Sequence, residues 1–399
     1  MVEMAPDRQR RRTCLATLVL GVALIASACT GPILARPAAP ALSVPAQTST
    51  PAPPDDPRPI VLPRDDGPHA RLTEWWYYTG HLTDQDGGTW GFEYVIFRAE
   101  RGSFPVSWAS HIAITDEANG TFTYAQRTAL DPWVDNSPIG ADGEPTGFDL
   151  AIALETPVTQ GSGLPAWSMV GGGGRDRLSA RMMSTEQTSS AEVADIVIDL
   201  QLSTDRPAAL HFNDGWIDFG PAGGSYYYSR TRMDASGQLI VGDRNLQVTG
   251  IAWFDHQWGD FIAVGGGGWD WFAVNLDDGT DVTISVVRDA QRRPVLTYGT
   301  VVDADGSTRH VPGDAITLTA TGPSWTSERT GTTYPSGWSI FIAPEDLVLE
   351  LTPTVAEQEL DTRPTTGVVY WEGSQRVSGT RGGVQVGGRG YVELTGYAN

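Results

Sequence analysis

The sequence predicts an all-β fold in which two related barrel-like halves follow one another, and three observations predict it. Apolar residues recur at alternate positions over short stretches, the period of a strand with one buried face, and no stretch sustains the three-and-four spacing of an amphipathic helix. Turn signals punctuate these stretches: Asp86-Gly87-Gly88, Asn119-Gly120, Asp142-Gly143, Asp278-Gly279 and Asp305-Gly306. The third observation is an internal echo. Trp75-Trp76-Tyr77-Tyr78 runs through Leu82 and an Asp/Gly turn to a strand ending at Phe97-Arg98; Trp269-Asp270-Trp271-Phe272 runs through Leu276 and Asp277-Asp278-Gly279 to a strand ending at Val287-Arg288.

Taken in chain order, residues 1–29 read as an export signal. Arg8, Arg10, Arg11 and Arg12 form its positive end, and residues 15–25 form an apolar run shorter than the roughly 20 residues that span a bilayer. Ala26-Ser27-Ala28-Cys29 then sets small residues directly before a cysteine, the arrangement in which Cys29 receives a lipid and becomes the new N-terminus; simple cleavage after Ala28 fits the same residues. Residues 30–64 are mostly Pro, Ala, Ser and Thr and read as a disordered tether. The expected location is therefore the extracytoplasmic face of the membrane, lipid-anchored or secreted. Strands are expected over residues 92–97, 111–115, 196–202 and 282–287, with one short helical turn within residues 343–349. The echo divides the folded part into residues 65–252 and 253–399.

Bulk properties narrow the function. The chain has 399 residues, 40% of them apolar, with Gly 46 and Trp 14, a balance suited to strands and tight turns. Basic residues number 27 against 48 acidic, a net charge of -21 that opposes binding to nucleic acid. Every basic residue is arginine, which excludes a lysine Schiff base and a Walker-type phosphate lysine. With only Cys14 and Cys29, neither a disulfide framework nor a Cys-rich zinc site is available. The histidines His69, His81, His111, His211, His256 and His310 show no HxxxH or HxH spacing, so no metal is expected, and no Gly-x-Ser-x-Gly elbow marks a serine hydrolase.

Glu74-Trp75-Trp76-Tyr77-Tyr78-Thr79-Gly80-His81-Leu82, Ser110-His111-Ile112-Ala113-Ile114-Thr115-Asp116 and Gly250-Ile251-Ala252-Trp253-Phe254-Asp255-His256-Gln257-Trp258-Gly259, with Trp269-Asp270-Trp271-Phe272 after them, resemble the carotenoid 1,2-hydratase (hydroxyneurosporene synthase) and AttH-like family. The resemblance covers about residues 70–290. It implies a fold of two tandem lipocalin-like β-barrels, no cofactor, and a catalytic set of histidine, tryptophan and aspartate matched here by His256, Trp258 and Asp270. Where the family carries a tyrosine, two residues before the aspartate, this chain has Gly268.

Hydrating an isoprenoid double bond needs an acid that can protonate carbon and a π-rich wall for the resulting cation. A carboxyl among indoles suits the first task because desolvation keeps its proton on. Aromatic faces suit the second through cation–π attraction. Asp270 between Trp269 and Trp271 has that composition, and Trp75, Trp76, Tyr78, His111, Trp253, Trp269 and Trp271 are the expected ligand-binding residues. In a strand, however, the two tryptophans share one face and Asp270 takes the other, where it would pair with an arginine. Asp255 would orient the His256 imidazole or form a buried corner. Two functions remain: a tethered carrier of an apolar isoprenoid, polyene or lipid ligand, and a cofactor-free hydratase or isomerase. The partners expected are that ligand and the membrane, with no obligate protein partner.

Overall fold

The computed structural model describes residues 56–153, 165–191, 194–261 and 266–398. The expected leader, Cys29 and most of the expected tether lie outside the described residues. Residues 56–64 correct the tether's boundary: Ile60 and Leu62 pack on the first core, and Asp56 accepts hydrogen bonds from Arg71 and the Tyr226 hydroxyl.

The first half contributes β1 (Thr73–Asp84), β2 (Thr89–Ala99), β3 (Ser107–Asp116), β4 (Thr121–Leu130), β5 (Phe148–Ile152), β6 (Trp167–Gly172), β7 (Arg175–Met182), β8 (Thr188–Ser189), β9 (Ile196–Ser203), β10 (Ala209–Leu210), β11 (Trp216–Asp218), β12 (Gly224–Val241) and β13 (Arg244–Gly259). The second contributes β14 (Gly266–Leu276), β15 (Asp281–Asp289), β16 (Pro294–Val302), β17 (Thr308–Pro312), β18 (Ile316–Thr321), β19 (Trp325–Thr326), β20 (Thr333–Tyr334), β21 (Gly337–Ile342), β22 (Leu347–Pro353), β23 (Glu359–Asp361), β24 (Val369–Arg381) and β25 (Val384–Thr395). The expected helical turn is a 3₁₀ turn, Ala343–Glu345, that Asp346 ends in the left-handed region before β22.

Two large sheets result, with β19–β20 a separate two-stranded ribbon, and the orders of the large sheets repeat. In the first, β12-β13-β1-β2-β3-β4 are neighbours; in the second, β24-β25-β14-β15-β16-β17 are. Each half therefore closes its last hairpin against its own first strand, and the echoed hairpins β1–β2 and β14–β15 hold equivalent places. The expected division near residue 252 falls inside β13, which pairs with β1 without interruption to Gly259; the change of sheet comes between Gly259 and Gly266.

The turns form for local reasons. Asp84 accepts from the backbone of Asp86 (2.9 Å) and Gly88 (2.8 Å) and from the Trp90 indole, while Gly87 supplies a φ of 86°. In the second half Asp278 caps Thr280 and Gly279 supplies a φ of 89°.

Each sheet curls around its own core, and the two press face to face along β1, β2, β13, β14, β24 and β25. Where they meet, these strands are covered on both sides, so residues of both their faces are buried. In β1, Trp76, Tyr78 and Leu82 enter the first core while Trp75 and Tyr77 enter the seam between the sheets. In β14, Phe272, Val274 and Leu276 enter the second core while Trp269, Trp271 and Ala273 enter the seam.

Candidate functional site

Alternation along β13 splits the central signature. Phe254, His256 and Trp258 point into the first barrel; Trp253 and Asp255 point into the seam. His256 is fully buried, stacked on Trp76 (4.7 Å between centroids) and edge-on to Tyr228 (5.6 Å). Its partner is Glu74 rather than Asp255: His256 Nε2 lies 2.9 Å from Glu74 Oε1, because β1 and β13 register Glu74 opposite Trp258 and Trp76 opposite His256. His69 joins them. Its Nδ1 is 2.7 Å from the same Glu74 oxygen, its backbone N–H donates to Oε2 (2.9 Å), and its ring lies flat on Trp258 at 4.1 Å.

Burial opposes charge throughout this cluster, yet it does not win everywhere. At Glu74 the charge on His69 and the hydrogen bonds from both imidazoles outweigh burial and hold the carboxyl down to about 2. At His69 burial is overcome by Glu74 and Asp65, which raise the pKa of that ring above its ordinary value. At His256 burial prevails and keeps the ring neutral, with Nδ1 lacking a hydrogen-bond partner.

Asp270 is not brought to His256. It lies in the second barrel, fully buried, held by both Arg288 terminal nitrogens and by the Tyr397 hydroxyl (3.1 Å). Burial raises its pKa while Arg288 opposes the shift, the arrangement of a paired carboxylate. Gly268, where the resemblance implies a tyrosine, sits in a register shift of β14 with φ 89°, and a Cβ there would lie 2.5 Å from the Thr395 carbonyl. No side chain fits that position.

The seam instead assembles other carboxyls. Glu93 and Glu372 are buried with no arginine to balance them among the described residues; Tyr370 donates to Glu93 (2.8 Å) and Tyr77 to Glu372 (2.8 Å), and the second oxygen of each has no partner. Burial, reinforced by the neighbouring carboxyls, pushes Glu93 up to about 8 and Glu372 upward as well. Half-buried Glu393, opposite Glu372 in the β24–β25 ladder, accepts from the Trp269 indole and is raised to about 7. Burial also lifts Asp255 to about 6, although it accepts from Trp253 (2.7 Å), Tyr227 and Ser229.

Around these acids stands an aromatic wall. Trp271 meets Tyr77 edge-on at 5.3 Å and Trp253 at 6.0 Å. His111 bonds Tyr370 through Nδ1 and is kept neutral by burial, at about 3. At one end of the seam Trp75, Phe97 and Trp269 are partly exposed beside Phe261; at the other is a cleft of ≈ 190 Å³ lined by His81, Trp90, Glu117, Arg232, Asn275 and Arg389. Of the expected ligand-binding residues, Trp75, His111, Trp253, Trp269 and Trp271 border the seam, whereas Trp76 and Tyr78 fill the first barrel. Glu93, Glu372, Tyr370 and the His69/Glu74 pairing were missed. A signal existed: Tyr370/Glu372 and Tyr391/Glu393 each place a tyrosine and a glutamate two residues apart, on one strand face.

Two curled antiparallel sheets with repeated order, each around its own apolar core and joined face to face, define a tandem lipocalin-like protein of the fold that hydratases also use. The chain belongs to the AttH-like family, whose sequence profile matches residues 53–397. It is similar to the crystal structure of an AttH protein from Nitrosomonas europaea, with 30% identity over 87% of this chain and 100% of that one and a TM-score of 0.69. It shares its fold with kievitone hydratase from Nectria haematococca, at 16% identity over 84% of this chain and 93% of that one, TM-score 0.63. No curated protein sequence matches the chain.

Proposed function

We propose that the chain holds an apolar, unsaturated small molecule of the isoprenoid, polyene or lipid class at the seam between its two barrels. The observation that carries this reading is the cluster of Trp75, Tyr77, Trp253, Trp269 and Trp271 along one face-to-face contact, beside Glu93 and Glu372, whose carboxyl pKa values burial raises. Apolar surface of that kind binds by exclusion of water, and the few polar groups set orientation.

The protonated carboxyls favour a second reading, hydration of the ligand. The O–H proton of Glu93 or Glu372 would pass to one alkene carbon, the π pair forming the new C–H bond. The cation left on the other carbon would face indole and phenol rings, each contact contributing about 0.5–2 kcal/mol. Water would then form the C–O bond and return a proton to the carboxylate, so that atoms and charge balance. The resemblance to a hydratase fold supports this chemistry without naming the substrate.

The test is incubation of the purified chain with acyclic carotenoids and shorter polyenes. Binding predicts saturable quenching of tryptophan fluorescence, reduced in Trp253→Phe; hydration predicts a product heavier by one water that disappears in Glu372→Gln and Glu93→Gln. Absence of both quenching and product across varied lipids overturns the proposal. We further propose an extracytoplasmic, lipid-anchored location, supported by Ala26-Ser27-Ala28-Cys29 after the apolar run. Detergent-phase partitioning that survives Cys29→Ser would refute the anchor.

A further inference from the structure

We propose that His69, Glu74 and His256 form a binding site for one divalent transition-metal ion of the zinc class, at the mouth of the first barrel. One donor atom of each of the three residues lies within 4.8 Å of the other two, and Glu74 Oε1 is close to both His69 Nδ1 and His256 Nε2. Two imidazoles and a carboxylate are the donor set of borderline ions, and three protein ligands leave a coordination position open to water or a ligand.

The geometry is near what such an ion requires. A tetrahedral ion with bonds of about 2.0–2.1 Å holds its donor atoms about 3.3 Å apart. The two imidazole nitrogens stand 2.7 and 2.9 Å from Glu74 Oε1, so each must retreat by about half an ångström. The ligands are also oriented by groups other than one another. His69 Nε2 faces Asp65 Oδ1 at 3.6 Å, the carboxylate–histidine arrangement that fixes a ligating imidazole, and Asp65 is itself held by Arg64 and the Val61 N–H. Glu74 Oε2 is occupied by the His69 backbone N–H, leaving Oε1 for the centre. The His69 and His256 rings rest on Trp258 and Trp76.

Access agrees. The His69 side chain is 20% exposed while those of Glu74 and His256 are fully buried, so the ion would enter past His69. Spacing rules fail to find the set because its members come from a loop and two strands, at sequence separations of 5 and 182 residues. The site lies in the first barrel and does not depend on the seam reading, so either can fail alone.

The test uses the purified full chain after chelator treatment, titrated with Zn²⁺ by calorimetry and with Co²⁺ by visible absorption. One ion per chain and a Co²⁺ spectrum of four-coordinate intensity are expected. His69→Ala, at the partly exposed ligand and with unfolding followed to confirm the fold, should weaken binding about tenfold or more; His310→Ala, a half-buried imidazole elsewhere, should leave it unchanged. No saturable binding, a Co²⁺ spectrum of a six-coordinate aquo ion, or equal affinity in His69→Ala overturns the proposal.

Discussion

Replacing Glu93 by glutamine, alone and with Glu372→Gln, isolates what the unbalanced acids of the seam do to stability. An ordinary glutamate has the value 4.5; burial raises Glu93 to about 8. Between those values the unfolded chain has released a proton that the folded chain keeps, so folding stability is full below about pH 4.5 and falls as pH rises, levelling above about pH 8. At about 1.4 kcal/mol per pH unit the difference of roughly 3.5 units amounts to about 5 kcal/mol for Glu93, whose shift comes from burial and from Glu393; Glu372 is raised in turn by burial and by Glu93. Glutamine keeps an oxygen for Tyr370 or Tyr77 and removes the ionisation. The variants should therefore match the parent near pH 5 and exceed it at about pH 8 by up to that amount. Urea unfolding followed by tryptophan fluorescence at several pH values measures the slope directly. If the double variant loses stability with pH as steeply as the parent does, the seam acids are not held neutral, and the proton-donor reading falls with them.

Further outcomes follow from the same geometry. Asp270→Asn leaves the partly buried Arg288 without its counter-charge and should cost about 2–4 kcal/mol in thermal or urea unfolding; lost turnover with unchanged stability would instead restore Asp270 as an acid. Glu74→Gln removes the anion shared by His69 and His256, whose contribution is present above about pH 4.5 and lost as pH falls toward about 2, so the variant should lack that acid limb of the stability profile. Trp253→Ala empties a fully enclosed indole site at the seam and should cost about 3–5 kcal/mol, read as a lowered Tm. Gly250→Ala would put a Cβ 1.9 Å from the His81 carbonyl and pry β13 from β1, so soluble yield should collapse; wild-type yield and Tm would show that the strands can part there.

The two barrels make the seam a product of repetition. Because β1 and β14 occupy equivalent places, Trp75 and Tyr77 meet Trp269 and Trp271 across one contact. The same alternation that sends these rings outward sends Trp76 and Phe272 inward to separate cores. One strand pattern, used twice, thus builds two interiors and the surface between them.

Local sequence by itself determined the strands, the turns and the repeat. Alternation and Asp/Gly turns act over a few residues, and Asp84 with Gly87, or Asp278 with Gly279, would shape the chain without help from distant segments. The opposite faces of Trp269, Asp270 and Trp271 were also determined, since the strand period admits nothing else. What only the tertiary structure decided is which carboxyl meets which ring. Glu74 and His256 are separated by 182 residues and Tyr370 and Glu93 by 277, and their contact depends on strand register and on how one sheet lies on the other. A carboxylate's charge state then follows from whether that packing supplies an arginine, as for Asp270, or withholds one, as for Glu93.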